Sequence, residues 1–151
     1  YMEAIVTSPN ETKELARKIA SQLKSGDVLA LYGDLGTGKT TFTSFLVKEL
    51  GIEAKVQSPS FVLARVYEKP KDAKKGQTQN PTQIQRVNHL DLYRLENPEN
   101  MEDLGLEEYF SQENSITVIE WPQMAERILP PNTLKIFFED LGGNSRKIYF
   151  N

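Results

Sequence analysis

Between Ser8 and Leu23, apolar residues recur at helical spacing: Leu15, Ile19 and Leu23, with Ala16 and Ala20 beside them. Ser8-Pro9-Asn10-Glu11 opens that stretch as a helix start. It offers a hydroxyl to cap, a proline at the first helical position and a glutamate three residues after the cap. Ser25-Gly26 closes the helix, and Asp27 to Tyr32 then runs apolar as a strand. Thr41 to Leu50 returns to helical character, with Gly51 placed to cap its end. Phe42, Phe45 and Leu46 are its core-facing residues. Phe61 to Glu68 predicts a strand. Arg86 to Tyr93 alternates, with Val87, His89, Asp91 and Tyr93 on one side and Asn88, Leu90 and Leu92 on the other. Lys69 to Gln85 between them has no apolar period and contains Pro70, Gly76 and Pro81, which predicts a hairpin with a long mobile tip.

Asn97 to Asn100 reads as a turn that caps a stretch through Leu104, and Leu106 to Ser111 as a short helix. Ser115 to Trp121 is a near-continuous β-branched apolar run ending in an acid, the pattern of a strand buried on both faces. Pro122 to Leu129 is helical until Pro130-Pro131 stops it. Thr133 to Glu139 and Arg146 to Phe150 predict two late strands around a turn at Gly142-Gly143-Asn144. Met2 to Thr7 has weaker strand character. The alternation of strands and helices predicts an α/β fold, and the hairpin makes its central sheet mixed.

One stretch adds chemistry to this pattern. Gly33-Asp34-Leu35-Gly36-Thr37-Gly38-Lys39-Thr40 fits G-x-x-x-x-G-K-[ST], and it sits where that motif requires, between a strand and a helix. Glycines let successive N–H groups point at an anion. Lys39 reaches the β- and γ-phosphates, the Thr40 hydroxyl is suited to Mg2+, and the helix dipole adds to both. The expected architecture is therefore a three-layer P-loop NTPase-like fold, formed as a single domain over residues 1–151.

The bulk numbers narrow the partners. A net charge of −3 gives no electrostatic footprint for binding nucleic acid alone. The absence of cysteine excludes disulfides and thiolate chemistry and suits a reducing compartment. No apolar run approaches the ~18 residues of a membrane helix, so a cytoplasmic protein without membrane attachment is expected.

A phosphate loop needs acids at the ends of neighbouring strands, to hold Mg2+ and orient an attacking water. Glu120 ends one apolar strand and Asp91 another; each is otherwise a surface carboxylate or cap. His89, the one histidine, reads as a hydrogen-bonded structural group. Arg94 either stabilises charge on the γ-phosphate or pairs with Glu96 or Glu99. Tyr93 and Trp121 read as core or rim aromatics, and Ser58-Pro59-Ser60-Phe61 by itself as an ordinary turn. A GTPase is disfavoured because N-K-x-D is absent. An Arg-rich kinase lid is also missing, which leaves an ATP hydrolase or ATP-driven switch.

Taken together, Gly33 to Thr41, Ser58-Pro59-Ser60-Phe61, His89-Leu90-Asp91-Leu92-Tyr93-Arg94 and Ile119-Glu120-Trp121-Pro122 resemble the TsaE (YjeE-like) ATPase family in order and spacing. The similarity runs from about Thr7 to about Phe150. It implies a magnesium-dependent ATPase, weak alone and stimulated by the TsaB and TsaD proteins, in threonylcarbamoyladenosine modification of tRNA. TsaD would transfer the group, ATP would reset or support the complex, and tRNA would be met only through that complex. The same resemblance puts Lys39 on phosphates, Thr40 and Glu120 at the metal, and Asp91 near metal and water. It puts Thr41 in the phosphate loop, Ser60 in a switch-like loop and Trp121 beside the site. Ser8, Thr12 and Arg146 fall near the adenine. Ser60 replaces the family's usual threonine but keeps the hydroxyl. The 69–85 tip is longer than usual and is read as a surface insertion, against a basic arm touching tRNA or TsaD. Two other functions stay open: a nucleotide-dependent binding or switch module with incidental hydrolysis, and a small phosphotransferase.

Overall fold

All five residues of Val28–Tyr32 are buried, because this strand lies inside a sheet with helices on both faces. The computed structural model describes residues 2–57, 63–70, 84–93, 95 and 104–150. Its elements are β1 (Met2–Val6), α1 (Pro9–Ala20), β2 (Val28–Tyr32), α2 (Lys39–Glu49), β3 (Ala64–Glu68) and β4 (Arg86–Asp91). There follow α3 (Glu107–Phe110), β5 (Ser115–Glu120), a 3-10 helix (Pro122–Ile128), β6 (Leu134–Gly142) and β7 (Ser145–Phe150). Among the described residues the strands form one seven-stranded sheet in the order β1-β7-β6-β2-β5-β4-β3. The four inner strands β6, β2, β5 and β4 are parallel, while β3 pairs with β4, β7 with β6 and β1 with β7 antiparallel. The mixed sheet expected from the hairpin is therefore present.

Alternate side chains of β2 serve opposite layers. Leu29 and Leu31 join Ala16 and Ile19 of α1 and Phe42 and Leu46 of α2, whereas Val28 packs with Leu90, Leu106, Ile119 and Ala125. Helices α1 and α2 cover the first face. The short α3 and the 3-10 helix cover the second, which makes three layers. Ser8 caps α1, accepting from the Glu11 N–H at 3.3 Å, and Pro9 occupies the first turn, as its sequence predicts.

Several boundaries differ from expectation. β4 ends at Asp91 rather than Tyr93, and Asn88 and His89, on opposite sides of it, are both fully buried. The alternation there is real, but both faces are covered. Lys69 and Gln85, expected in the mobile tip, extend the hairpin through a backbone bond of 2.9 Å, and Ile84 lies in the core. A single apolar residue beside a polar run leaves no period to detect. Residues 71–83, most of that tip, lie outside the described residues, as do Ser58–Phe61, Arg94 and the Asn97–Asn100 turn. The segment after Trp121 is a 3-10 helix, and β6 runs on to Gly142.

Phe42 carries much of the contact between α2 and the sheet. It is fully buried and meets Phe138 of β6 edge-on, with ring centroids 5.6 Å apart. Phe42→Ala should lower the unfolding free energy by about 3–5 kcal/mol. The measurement is a urea titration, in which the midpoint falls and the slope is retained.

Candidate nucleotide site

The turn from β2 into α2 is shaped by its neighbour β6. Gly33 has φ +150°, and a Cβ there would lie 2.7 Å from the Phe138 carbonyl oxygen and 2.8 Å from Thr37 Oγ1. No side chain fits. Gly36 and Gly38 have φ of +77° and +99°, and around them an added Cβ would meet open space, so conformation alone requires glycine there. Thr37 Oγ1 donates to the Asp34 carbonyl at 2.7 Å and fastens the loop. The first N–H groups of α2 lack helical partners by geometry and face the same opening as the loop.

Lys39 begins α2 and is buried. Its ammonium donates to the Gly33 carbonyl and lies 3.9 Å from the centroid of the Trp121 ring. Burial pushes its pKa below the ordinary lysine value, against the opposing pull of Glu120, Asp91 and Asp34. Trp121 has φ +56° and ψ +55°, a left-handed conformation rare for a bulky residue. Tyr93, half exposed, packs against it at 4.8 Å between ring centroids.

The acids arrive by register. β4 and β5 are parallel with Asp91 opposite Glu120, and β5 pairs with β2 so that Glu120 is level with Leu31, just before the loop. Glu120 is only 3% exposed. Its Oε1 accepts from the Thr40 hydroxyl at 3.3 Å, and its Oε2 lies 2.6 Å from His89 Nε2. Behind His89, the Tyr67 hydroxyl is 3.1 Å from Nδ1. Burial pushes the Tyr67 pKa up and keeps the phenol a donor. Asp91 accepts from the Tyr93 N–H at 2.9 Å.

A cleft of about 510 Å³ gathers Leu35, Gly36, Gly38, Lys39, Thr40 and Thr41 on one side and Asp91, Tyr93, Glu120 and Trp121 on the other. Arg146 lines it as well and also lines an adjoining recess of about 190 Å³ with Ser8, Thr12, Thr37 and Thr41. Asp34 and Gly33 lie on the far side of the loop, in a third depression next to Trp121. Of the residues expected at the site, Ser60 lies outside those described, as does Arg94, the candidate for γ-phosphate charge. Phe138, Asn144 and Tyr67 are among the residues around the site that escaped sequence reasoning. Phe138 and Asn144 line the recess, and Tyr67 reaches His89; none stands in a motif, and only strand register brings them in.

The donor set suits a phosphate: a buried ammonium, a glycine-rich turn and a helix N-terminus. It also suits a hard cation held jointly with that phosphate, because Thr40 and Glu120 offer oxygens side by side with Asp91 in the same cleft. Among the described residues no group of three or more histidines or acids could hold a metal by itself.

The family model for threonylcarbamoyl adenosine biosynthesis protein TsaE matches residues 6–148. The chain belongs to the TsaE family. It is 38% identical to the tRNA threonylcarbamoyladenosine biosynthesis protein TsaE of Bacillus subtilis over 95% of this chain and 80% of that one. The TsaE protein of Streptomyces coelicolor is 35% identical over 88% of this chain and 82% of its own. The crystal structure of YdiB from Bacillus subtilis superposes with a TM-score of 0.73 at 32% identity, covering 99% of this chain and 83% of that one. The resemblance drawn from four short motifs is thus a true membership, and the mixed-sheet P-loop fold is the one this TsaE-family structure shares with YdiB. No helix among the described residues is long and apolar enough to cross a membrane.

Two outcomes follow for the loop. Gly33→Ala must displace Phe138 or the loop, an overpacking cost of about 1–3 kcal/mol, at roughly 2–4 °C of melting temperature per kcal/mol. Calorimetry of the variant should show that fall. Lys39 behaves oppositely. Its pKa is lowered in the fold, so its charge opposes folding at neutral pH, and stability rises as pH climbs from the lowered value to the ordinary one. Lys39→Met should therefore lose that alkaline rise in stability, which thermal melts of both proteins across a pH series would read.

Proposed function

We propose that the protein is the ATP-hydrolysing subunit of tRNA threonylcarbamoyladenosine biosynthesis, acting on magnesium-bound ATP together with TsaB and TsaD. The relatives carry that biosynthetic role in their names. The observation that carries the reading is the convergence of Lys39, Thr40, Asp91 and Glu120 on one cleft at the mouth of a phosphate loop.

In this reading Lys39 leaves the Gly33 carbonyl for the β- and γ-phosphates, which the loop amides of Gly36, Gly38 and Lys39 cradle. Thr40 and Glu120 would hold Mg2+, which would neutralise phosphate charge and make the γ-phosphate easier to attack. Asp91 orients the attacking water. Trp121 walls the phosphate side, and Ser8, Thr12 and Arg146 take the adenine end in the smaller recess. Thr41 bridges the two spaces, and Ser60 senses the γ-phosphate. The isolated chain turns over slowly, TsaB and TsaD accelerate it, and tRNA is met only through them. The protein works in the cytoplasm.

The test is tRNA modification in a reconstituted system with phosphate release followed in parallel. Lys39→Ala and Glu120→Ala should each lower partner-stimulated ATP turnover by about 100-fold or more and stop modification. Full modification by both variants would defeat the reading. Unchanged modification with Glu120→Ala alone, and no stimulation by the partners, would make the protein a nucleotide-dependent binding module. Labelled γ-phosphate on an acceptor other than water would make it a phosphotransferase.

A further inference from the structure

Glu120 is held from behind as well as from the front. Beyond the 2.6 Å contact to His89 Nε2 and the 3.1 Å contact from Nδ1 to the Tyr67 hydroxyl, that hydroxyl meets both backbone groups of Gln57. The Gln57 N–H donates to it at 3.2 Å, and the Gln57 carbonyl lies 3.0 Å away as an acceptor. A continuous line of hydrogen bonds therefore runs from the connection between α2 and β3, through β3, β4 and β5, to Thr40 in the first turn of α2. Tyr67, His89 and Glu120 are all buried, so water does not compete along its middle, while its ends at Gln57 and Thr40 reach solvent.

The directions of these bonds follow from proton counting. An ionised Glu120 beside His89 requires the hydrogen on Nε2. A neutral imidazole then has Nδ1 as its acceptor, and the Tyr67 hydroxyl supplies that proton. Tyr67 in turn accepts from the Gln57 N–H. With the imidazole neutral and Tyr67 donating to Nδ1, the donors point toward the carboxylate. Yet the hydroxyl has one proton and two acceptors in reach, His89 Nδ1 and the Gln57 carbonyl. The backbone at Gln57 thus competes with His89 for it.

Resting on the ATP reading above, we propose that Tyr67 and His89 are positioning residues which couple the backbone at Gln57 to the Glu120 carboxylate. His89 fixes Oε2 and so turns Oε1 toward Thr40, where the cation is held. Tyr67 fixes the ring that does this and reports the position of Gln57 to it. A pair that merely satisfied its own buried polar atoms would affect the stability of the fold and nothing at the metal.

The experiment uses the full chain, with Trp121 fluorescence as the probe of a non-hydrolysable ATP analogue. Tyr67→Phe keeps the ring and its packing and removes only the hydroxyl. Loss of such an outer partner typically costs about 10–100-fold in metal affinity or activity. The Mg2+ concentration giving half the fluorescence change should rise about 10-fold or more, and kcat should fall by a like factor with KM for ATP within about 2-fold. Nucleotide with Mg2+ should slow hydrogen exchange at Gln57 in the parent and not in Tyr67→Phe. His89→Leu should match Tyr67→Phe. In His89→Gln, an amide N–H reaches the carboxylate again, so the Mg2+ midpoint should recover while Gln57 stays uncoupled. If His89→Leu does not fold, Tyr67→Phe decides alone. A parental Mg2+ midpoint and kcat in Tyr67→Phe would overturn the proposal, whatever its melting temperature. Failure of the ATP reading looks different: the parent chain itself gives no magnesium-dependent response to nucleotide, and the coupling falls with it.

Discussion

A carboxylate withdrawn from water at the end of a central strand has to be given partners, and the arrangement of the molecule is largely the set of conditions that supplies them. Leaving a buried polar group without its hydrogen-bond partner typically costs about 1–3 kcal/mol, and more for a charged one. Glu120 receives His89 from the adjacent parallel strand and Thr40 from the helix across the cleft. Slipping β4 by one residue against β5 would turn His89 to the other face and put Asn88 or Leu90 in its place. Register, the identity of the neighbouring strand and the approach of α2 are thus tied to one side chain.

The loop obeys a second constraint of the same kind. Its first glycine lies against the backbone of β6, so the turn is moulded by the sheet. Trp121 accepts an unfavourable left-handed backbone and in return lays its ring over Lys39. The protein has spent folding energy to hold an ammonium, a tight turn and an aromatic wall in a geometry whose use lies in binding.

Much of this was legible in the residues. The motif at Gly33 to Thr40 needs only spacing, and the apolar run at Ile116 to Glu120 announces a buried strand by its composition. Ser8-Pro9 marks a helix start because capping is local chemistry. What stayed hidden is what depends on pairing. Tyr67 stands in an ordinary-looking strand, and nothing near it indicates that its hydroxyl ends at His89 two positions away on the facing register. His89 read as a structural group, which is true of its burial but omits Glu120. Phe138 and Asn144 follow no motif and enter the recess because β6 and β7 turn beside it. Ile84 was masked by the polar residues around it. Local signals identify elements and phosphate chemistry, whereas the second row of contacts is a property of the sheet.

The small recess has its own history in the making of the molecule. Ser8 and Thr12 precede the phosphate loop in the sequence, Asn144, Arg146 and Ile148 follow it by a hundred residues or more, and β1 and β7 are brought together by pairing. The phosphate loop, by contrast, is built from β2 and α2 with residues close in sequence. During synthesis on the ribosome the loop's own residues emerge early, while the recess lacks Phe138, Asn144, Arg146 and Ile148 until β6 and β7 have followed. A nascent or truncated chain therefore carries the motif for phosphate without the pocket beside it.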